Sequence, residues 1–184
     1  MEFDNALEVP LPPGEAWPVL LDVKRIAGCI PGAEVAEVVD ERTYKGKVTV
    51  RIGPVALSLV GEARLEEVDD VKLTARIKAH GVDAKGRGST EAVIGFRLEP
   101  AGTGTRVLIH SDVKLAGSIA QYGRGAGMIQ SVAAQLISQF GSALKAEIER
   151  PGSAPAPGAI SGLTVLGKAA WDTVTRPPGK APVE

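Results

Sequence analysis

From residue 44 onward the chain alternates. Gly46, Val48, Val50 and Ile52 fall opposite Lys45, Lys47, Thr49 and Arg51. The period of two continues through Val55, Leu57, Leu59, Gly61, Ala63 and Leu65, then through Val71, Leu73, Ala75, Ile77 and Ala79. Two more inward sets follow, Thr90, Ala92, Ile94, Phe96 and Leu98, and Val107, Ile109, Ser111, Val113 and Leu115. Alternation of this kind predicts an antiparallel sheet with one face buried and the other in water. Gly53-Pro54 and Gly102-Thr103-Gly104 mark turns between strands. Further strands are predicted at 2–9 and 35–39. Between them, Pro12-Pro13-Gly14-Glu15 opens a short helix and Cys29-Ile30-Pro31-Gly32 breaks the chain.

The period then changes from 2 to 3.6. Ile119, Tyr122, Ala126, Ile129, Ala133, Leu136, Ile137, Phe140, Leu144 and Ile148 recur at helical spacing. This predicts one helix over 118–150, with Ser118 as N-cap and Pro151 as terminator. At 1.5 Å per residue it spans roughly 45 Å, enough to cross the whole sheet. The expected fold class is therefore α+β, a curved antiparallel sheet wrapped on a long C-terminal helix. That helix is the only predicted element large enough to cover the inner face. A strongly curved sheet gripping one helix encloses an internal apolar cavity.

Composition narrows the functional classes. Of 184 residues, 44% are hydrophobic and 23% charged, which excludes wholesale disorder. Lys and Arg number 21 against 22 Asp and Glu, so the basic excess of a dedicated nucleic-acid binder is missing. No run approaches the roughly 18–20 apolar residues of a membrane span. Residues 1–9 carry acidic groups where a signal peptide needs a basic stretch and an apolar core. The single cysteine, Cys29, cannot form an internal disulfide. These features predict a cytoplasmic protein. Aromatics make up only 4% of the chain, and an aliphatic core with few large rings leaves space inside. Gly and Pro supply 11 of the last 34 residues against 24 of the first 150. This places a domain at 1–150, a linker at 151–159 and a tail at 160–184.

The chemistry-bearing residues are sparse. Cys29 could act as a nucleophile only with a base in hydrogen-bond reach, and His80 and His110 both fall on the polar face of their strands. The reading is a packing cysteine and two surface histidines, with no catalytic residue assigned. One Cys and two separated His do not make a zinc ligand set, so no metal is expected. Gly123-Arg124-Gly125-Ala126-Gly127 lacks the spacing of a dinucleotide fingerprint. Glycines inside a helix cost roughly 1 kcal/mol each against Ala. Two reasons for them stay open, close passage over the sheet and a mobile gate at the cavity mouth.

Three stretches carry a resemblance. They are Gly28-Cys29-Ile30-Pro31-Gly32-Ala33-Glu34, the segment 44–54 (YKGKVTVRIGP), and the segment 116–125 (AGSIAQYGRG) that enters the long helix. Together, in this order, they resemble the CoxG family of carbon monoxide dehydrogenase subunits, within the START-like (SRPBCC) helix-grip superfamily, over about residues 1–150. The resemblance implies a helix-grip fold with an apolar cavity for a lipid or small aromatic molecule. It also implies an accessory role beside a molybdenum hydroxylase-type CO dehydrogenase or a related oxidoreductase, and attachment of that enzyme to the membrane. Electrons from such an enzyme must reach the respiratory chain. The expected ligand is therefore an isoprenoid quinone of the menaquinone kind, with an acyl lipid as the alternative the residues do not separate. A membrane-recruitment adaptor without ligand transport and a cyclase-like enzyme on the same fold are the competing functions.

The residues expected to line the cavity are Val48, Val50, Leu57, Leu59, Leu73, Ile77, Thr90, Ala92, Ile94, Phe96, Ile109, Ser111, Tyr122, Ala126, Ile129, Ala133, Leu136 and Phe140. Thr90, Ser111 and Tyr122 supply its hydroxyls. In the tail, Ile160, Leu163, Leu166, Trp171 and Val174 share one helical face. The amphipathic segment is about 16 residues, roughly 24 Å, too short for a bilayer core of about 30 Å. Such a segment folds against something apolar. The membrane interface, which suits Trp171, and a groove on a partner or on its own domain are the two targets. The expected location is the inner face of the cell membrane, peripherally attached.

Overall fold

The computed structural model describes residues 1–124 and 126–152. The tail assignments at Ile160, Leu163, Leu166, Trp171 and Val174, and nearly all of the linker, lie outside the described residues. Seven strands form one antiparallel sheet: β1 (Glu2–Val9), β2 (Ala33–Val38), β3 (Thr43–Ile52), β4 (Val55–Asp69), β5 (Thr74–Asp83), β6 (Gly88–Ala101) and β7 (Gly104–Gly117). Their order across the sheet is β1-β7-β6-β5-β4-β3-β2, so consecutive strands from β2 to β7 pair as hairpin neighbours and β1 closes on β7. Two short helices, α1 (Pro13–Leu21) and α2 (Val23–Ala27), link β1 to β2, and α3 (Ala126–Glu149) ends the domain. The sheet curves around α3 in the expected α+β helix-grip arrangement.

Local chemistry explains three departures from the periodicity. The long helix does not begin at Ser118. Residues Ser118–Arg124 form a 3-10 helix, and α3 starts at Ala126. Glycines at 123, 125 and 127 weaken α-helix there. Ser118 does not cap an α-helix, because its Oγ donates to the Arg87 carbonyl at 2.7 Å. The short helix α1 ends at Leu21, where its residues predict, but a second helix that they do not predict, α2, follows at once; it is capped by the Asp22 carboxylate, which accepts from the Arg25 N–H at 3.1 Å. Finally, Val71 is not an inward strand residue but 94% exposed in the β4–β5 turn. There the Asp69 carboxylate accepts the N–H groups of Val71 and Lys72 at 3.0 and 2.9 Å, which fixes the turn.

The concave face is filled unequally. Leu7, Val9, Trp17, Leu20, Ile26, Leu65, Ala75, Leu98, Val107, Ile109 and Leu144 form one buried cluster, in which Trp17 lies 5.9 Å from Phe96 between ring centroids. Trp17 also donates from Nε1 to Asp70 at 2.8 Å, which fastens α1 to the β4–β5 turn. A smaller cluster of Ile52, Leu57, Ile119 and Ile129 closes the other end of the sheet. Gly141 faces Leu7, and a Cβ there would lie 3.3 Å from the Leu7 Cβ. The missing side chain lets α3 settle onto β1, away from β2–β4.

One row of glycines crosses the middle of the sheet. Gly46 pairs with Gly61 and Gly61 with Gly81, and the row continues to Val35 on β2 and Thr90 on β6. A Cβ on Gly46 would collide with the Glu34 carbonyl oxygen, and one on Gly61 with the His80 carbonyl oxygen. Adjacent backbones thus stand where a side chain would be, as happens where a sheet bends tightly. Gly95, by contrast, faces open space. Gly61→Ala is expected to cost about 1–3 kcal/mol by overpacking, and Gly95→Ala less than about 0.5 kcal/mol. Denaturant unfolding of the two variants tests the difference.

Candidate ligand-binding cavity

Between the half-filled face and α3 lies a cavity of about 420 Å³. Its walls follow from strand parity. Tyr44, Gly46, Val48, Val50 and Ile52 come from β3, and Leu57, Leu59, Gly61 and Ala63 from β4. Ala79 and Gly81 of β5, Thr90, Ala92 and Ile94 of β6, and Val113 and Leu115 of β7 continue the wall. Phe3 of β1 also reaches it, while Val23 and Ala27 of α2 flank it. On α3, Ile129, Val132, Ala133 and Leu136 recur at helical spacing on the facing side. The side chains that point in are aliphatic apart from Phe3, the Tyr44 ring and Thr90, and Tyr44 Oη donates to the Glu41 carbonyl at 2.8 Å.

Charged residues border the cavity without entering it. Lys45, Lys47, Glu62 and His80 alternate with inward positions and so present backbone to it. Lys47 pairs with Glu34 at 3.1 Å and Lys45 with Glu37 at 3.4 Å along the β2–β3 edge. Ile30 and Val35 line the cavity yet stay 38% and 40% exposed, which marks its opening beside α2 and β2.

Ten expected positions line this space: Val48, Val50, Leu57, Leu59, Thr90, Ala92, Ile94, Ile129, Ala133 and Leu136. Seven do not. Leu73, Ile77, Phe96 and Phe140 pack against the Trp17 cluster and Ile109 belongs to it. Ile77, Phe96 and Ile109 share the inward parity of their strands, but α1, α2 and the C-terminal half of α3, which carries Phe140, fill the sheet at their level, and Leu73 lies in the β4–β5 turn. Ser111 is buried in β7, opposite Phe3 and Ile94. Tyr122 packs on the Ile119 cluster from the 3-10 helix. Of the three expected hydroxyls, only Thr90 reaches the cavity. The Ala126 side chain lies outside the described residues. The contributions of Val23, Ala27 and Ile30 carry no periodic signal in so short a helix.

The cysteine and the histidines are held elsewhere. Cys29 is 2% exposed, and burial, reinforced by the Glu147 carboxylate and opposed by Arg25, raises its thiol above the ordinary value. His110 lies on the outer face, where its bond to Asp4 at 2.8 Å raises its pKa. That face has a broad groove over Gly95, of about 1020 Å³, whose charges pair among themselves as Arg76–Glu67, Lys72–Asp69 and His110–Asp4. Among the described residues, no three His, Cys, Asp or Glu side chains are grouped to hold a metal.

An ion pair between buried Asp83 and partly exposed Arg87 braces the cavity's closed end. Asp83 accepts from Arg87 Nε at 2.7 Å and Nη2 at 2.9 Å, and from the Ser58 N–H at 3.2 Å. Arg87 Nη2 also donates to the Ala56 carbonyl, and the Arg87 carbonyl accepts from Ile119 N–H. One arginine thereby joins β4, the β5–β6 turn and the start of the 3-10 helix. The Arg87 hydrogen bonds hold the Asp83 carboxyl far below the usual carboxylate range.

A curved sheet, a gripping helix and an apolar cavity between them define a helix-grip domain of the START-like kind. Solved structures agree. A conserved protein from Geobacillus kaustophilus superposes with a TM-score of 0.70 at 22% identity, over 81% of this chain and 95% of that one. The Zhui aromatase/cyclase from Streptomyces sp. R1128 gives 0.57 at 15% identity, over 82% and 94%. A Mycobacterium smegmatis protein gives 0.53 at 18%, over 79% and 91%. At such identities the likeness shows the fold alone. No curated protein matches the chain significantly. The sequence itself goes further. Residues 6–149 match the model of the CoxG family of carbon monoxide dehydrogenase subunits, and the chain belongs to that family. Among the described residues, no helix is long and apolar enough to cross a membrane.

Two outcomes follow from the buried groups. Because its folded pKa is depressed, Asp83 contributes stability in full above its ordinary value of 3.8 and loses it as pH falls through the lower folded value. Asp83→Asn is expected to lower Tm at pH 7, with the gap from wild type narrowing only below about pH 4. Cys29 is expected to react with a thiol reagent at the rate of domain opening, so labelling should remain slow at about pH 8 and become immediate in denaturant.

Proposed function

We propose that this protein is a non-enzymatic accessory protein of a molybdenum CO dehydrogenase-type oxidoreductase. It binds an isoprenoid quinone of the menaquinone kind in its cavity and links the enzyme to the inner face of the cell membrane and to the respiratory chain. Family membership supports the accessory role. The observation that carries the ligand is the cavity itself. Its volume of about 420 Å³ lies within the roughly 300–1,000 Å³ of small-molecule sites, and its wall is aliphatic with Thr90 as the inward hydroxyl. A ligand matched to this wall is apolar over most of its length and carries at most a weak acceptor, as a quinone carbonyl does. The tail supplies attachment, its apolar face entering the membrane interface at Trp171.

Organic extraction of protein purified from a quinone-containing host, followed by mass spectrometry, tests the reading. An isoprenoid quinone near one per chain is expected. An extract holding only phospholipid, or nothing, overturns it. Ala133→Phe places a ring in the cavity from α3. Quinone occupancy should fall at least about tenfold, while Tm of the apo protein stays level or rises because apolar volume is filled rather than removed.

A further inference from the structure

We propose that the free edge of β2 pairs antiparallel with β2 of a second copy of this chain, and that the two copies cover each other's cavity mouths. The pairing depends on the edge strand and holds whatever ligand the cavity takes. β2 ends the sheet, and among the described residues no strand lies on its far side. Soluble proteins ordinarily blunt such an edge with charge. Here Glu34 and Glu37 stand opposite the outward-facing Lys47 and Lys45, which neutralise them at 3.1 and 3.4 Å. Val35 and Val38 stand opposite the inward positions Gly46 and Tyr44, yet they are 40% and 42% exposed. Their strip borders the cavity opening that α3, seated toward β1, leaves uncovered.

The ladder shows which residues pair outward. The Thr49 N–H donates to the Gly32 carbonyl, and the Val39 N–H to the Thr43 carbonyl, both at 2.9 Å. Bonded and non-bonded pairs alternate along an antiparallel ladder. Counting from Gly32, Glu34 bonds to Lys47 and Val35 turns its backbone groups away from β3. Counting from Val39, Glu37 bonds to Lys45 and Val38 turns away in the same sense. The bulge between Val35 and Glu37 is what allows this. In a regular strand, residues 35 and 38 would address opposite edges and opposite faces. With the bulge, two valines share one edge and one face. Their spacing is self-complementary. A two-fold pairing sets Val35 of each copy opposite Val38 of the other, and each pair exchanges both N–H···O bonds. In that register Glu37 faces Ala36 and Glu34 faces Val39, so no carboxylate opposes another. A shift of two residues would set Glu34 against Glu37, which like charge disfavours. Both mouths then lie on the same side of the joined sheet, each bordered by a valine of the other copy.

Sedimentation velocity on the full chain tests the dimer. A six-residue edge makes a small interface, so a reversible dimer with a dissociation constant of about 10–100 µM is expected. Val38→Lys should weaken it at least tenfold while the far-UV circular dichroism stays unchanged, and Val71→Lys at the exposed turn should leave it intact. A monomer throughout that range and tenfold above it overturns the proposal, as does a dimer indifferent to Val38→Lys. Oxidation in a Cys29→Ala background reads the register. Val35→Cys chains mixed with Val38→Cys chains should form disulfide dimers at least tenfold faster than either variant alone. Equal rates for the mixture and the single variants overturn the pairing.

Discussion

The row Gly46–Gly61–Gly81 is the constraint on which the rest of this domain depends. A sheet of seven strands can enclose one helix only if it curves, and at Gly46 and Gly61 neighbouring backbones approach more closely than side chains permit, while at Gly81 an added Cβ would press on the Leu59 side chain. The same three positions face inward, so the bend also removes side-chain volume from the wall. One feature of the sequence, three glycines in register on adjacent strands, therefore produces both the grip and the space within it. The conformational cost of glycine in strands is met by pairing along the full length of β3, β4 and β5.

What remains is a division of one concave surface between core and cavity. Toward the β4–β5 turn, α1 and α2 bring Trp17, Leu20 and Ile26 down onto Leu65, Ala75 and Leu98, and the C-terminal half of α3 adds Leu144. Toward the β3–β4 turn no such helix pair exists among the described residues. There the N-terminal half of α3 spans the gap with Ile129, Val132, Ala133 and Leu136, and the Ile119 cluster and the Arg87 brace seal the end. With Gly141 seated against Leu7, α3 lies toward β1 and leaves the β2–β3 side uncovered. Stability is concentrated at one end of the molecule and capacity at the other. Substitutions that reshape the cavity can therefore fall on Ala133 or Leu59 without touching the Trp17 cluster.

Strand parity makes the sheet, its inner face and its antiparallel order legible in the sequence, because burial on one face leaves a period of two. Parity cannot say how far along a strand the filling stops. Ile94 and Phe96 are both inward on β6, yet Ile94 meets the cavity and Phe96 meets Trp17. The difference is set by α1, a partner far earlier in the chain, and no local pattern carries it. Ile77 and Ile109 fall outside the cavity for the same reason. Tyr122 falls outside it for another. Helical spacing places its ring inward only if 118–125 is an α-helix, whereas glycine chemistry yields a 3-10 helix and a different direction for the ring. The helix α2 is invisible to periodicity, since five residues are too few to show a period.

The poverty of polar groups in the cavity decides the kind of recognition available to it. A site with several buried donors selects by penalising any ligand that leaves one unpaired. This wall has Thr90 and little else, so discrimination must come from shape and from exclusion of charge. Such a site holds its ligand by the apolar area it removes from water, at roughly 25 cal/mol per Å². Apolar area is also what a bilayer offers an apolar molecule, so under the proposed function transfer between the two is nearly balanced in free energy and depends on access more than on affinity. Under that reading the mouth, and not the wall, sets the rate of exchange. The residues at that opening are Ile30 and Val35, which line the cavity and remain partly exposed.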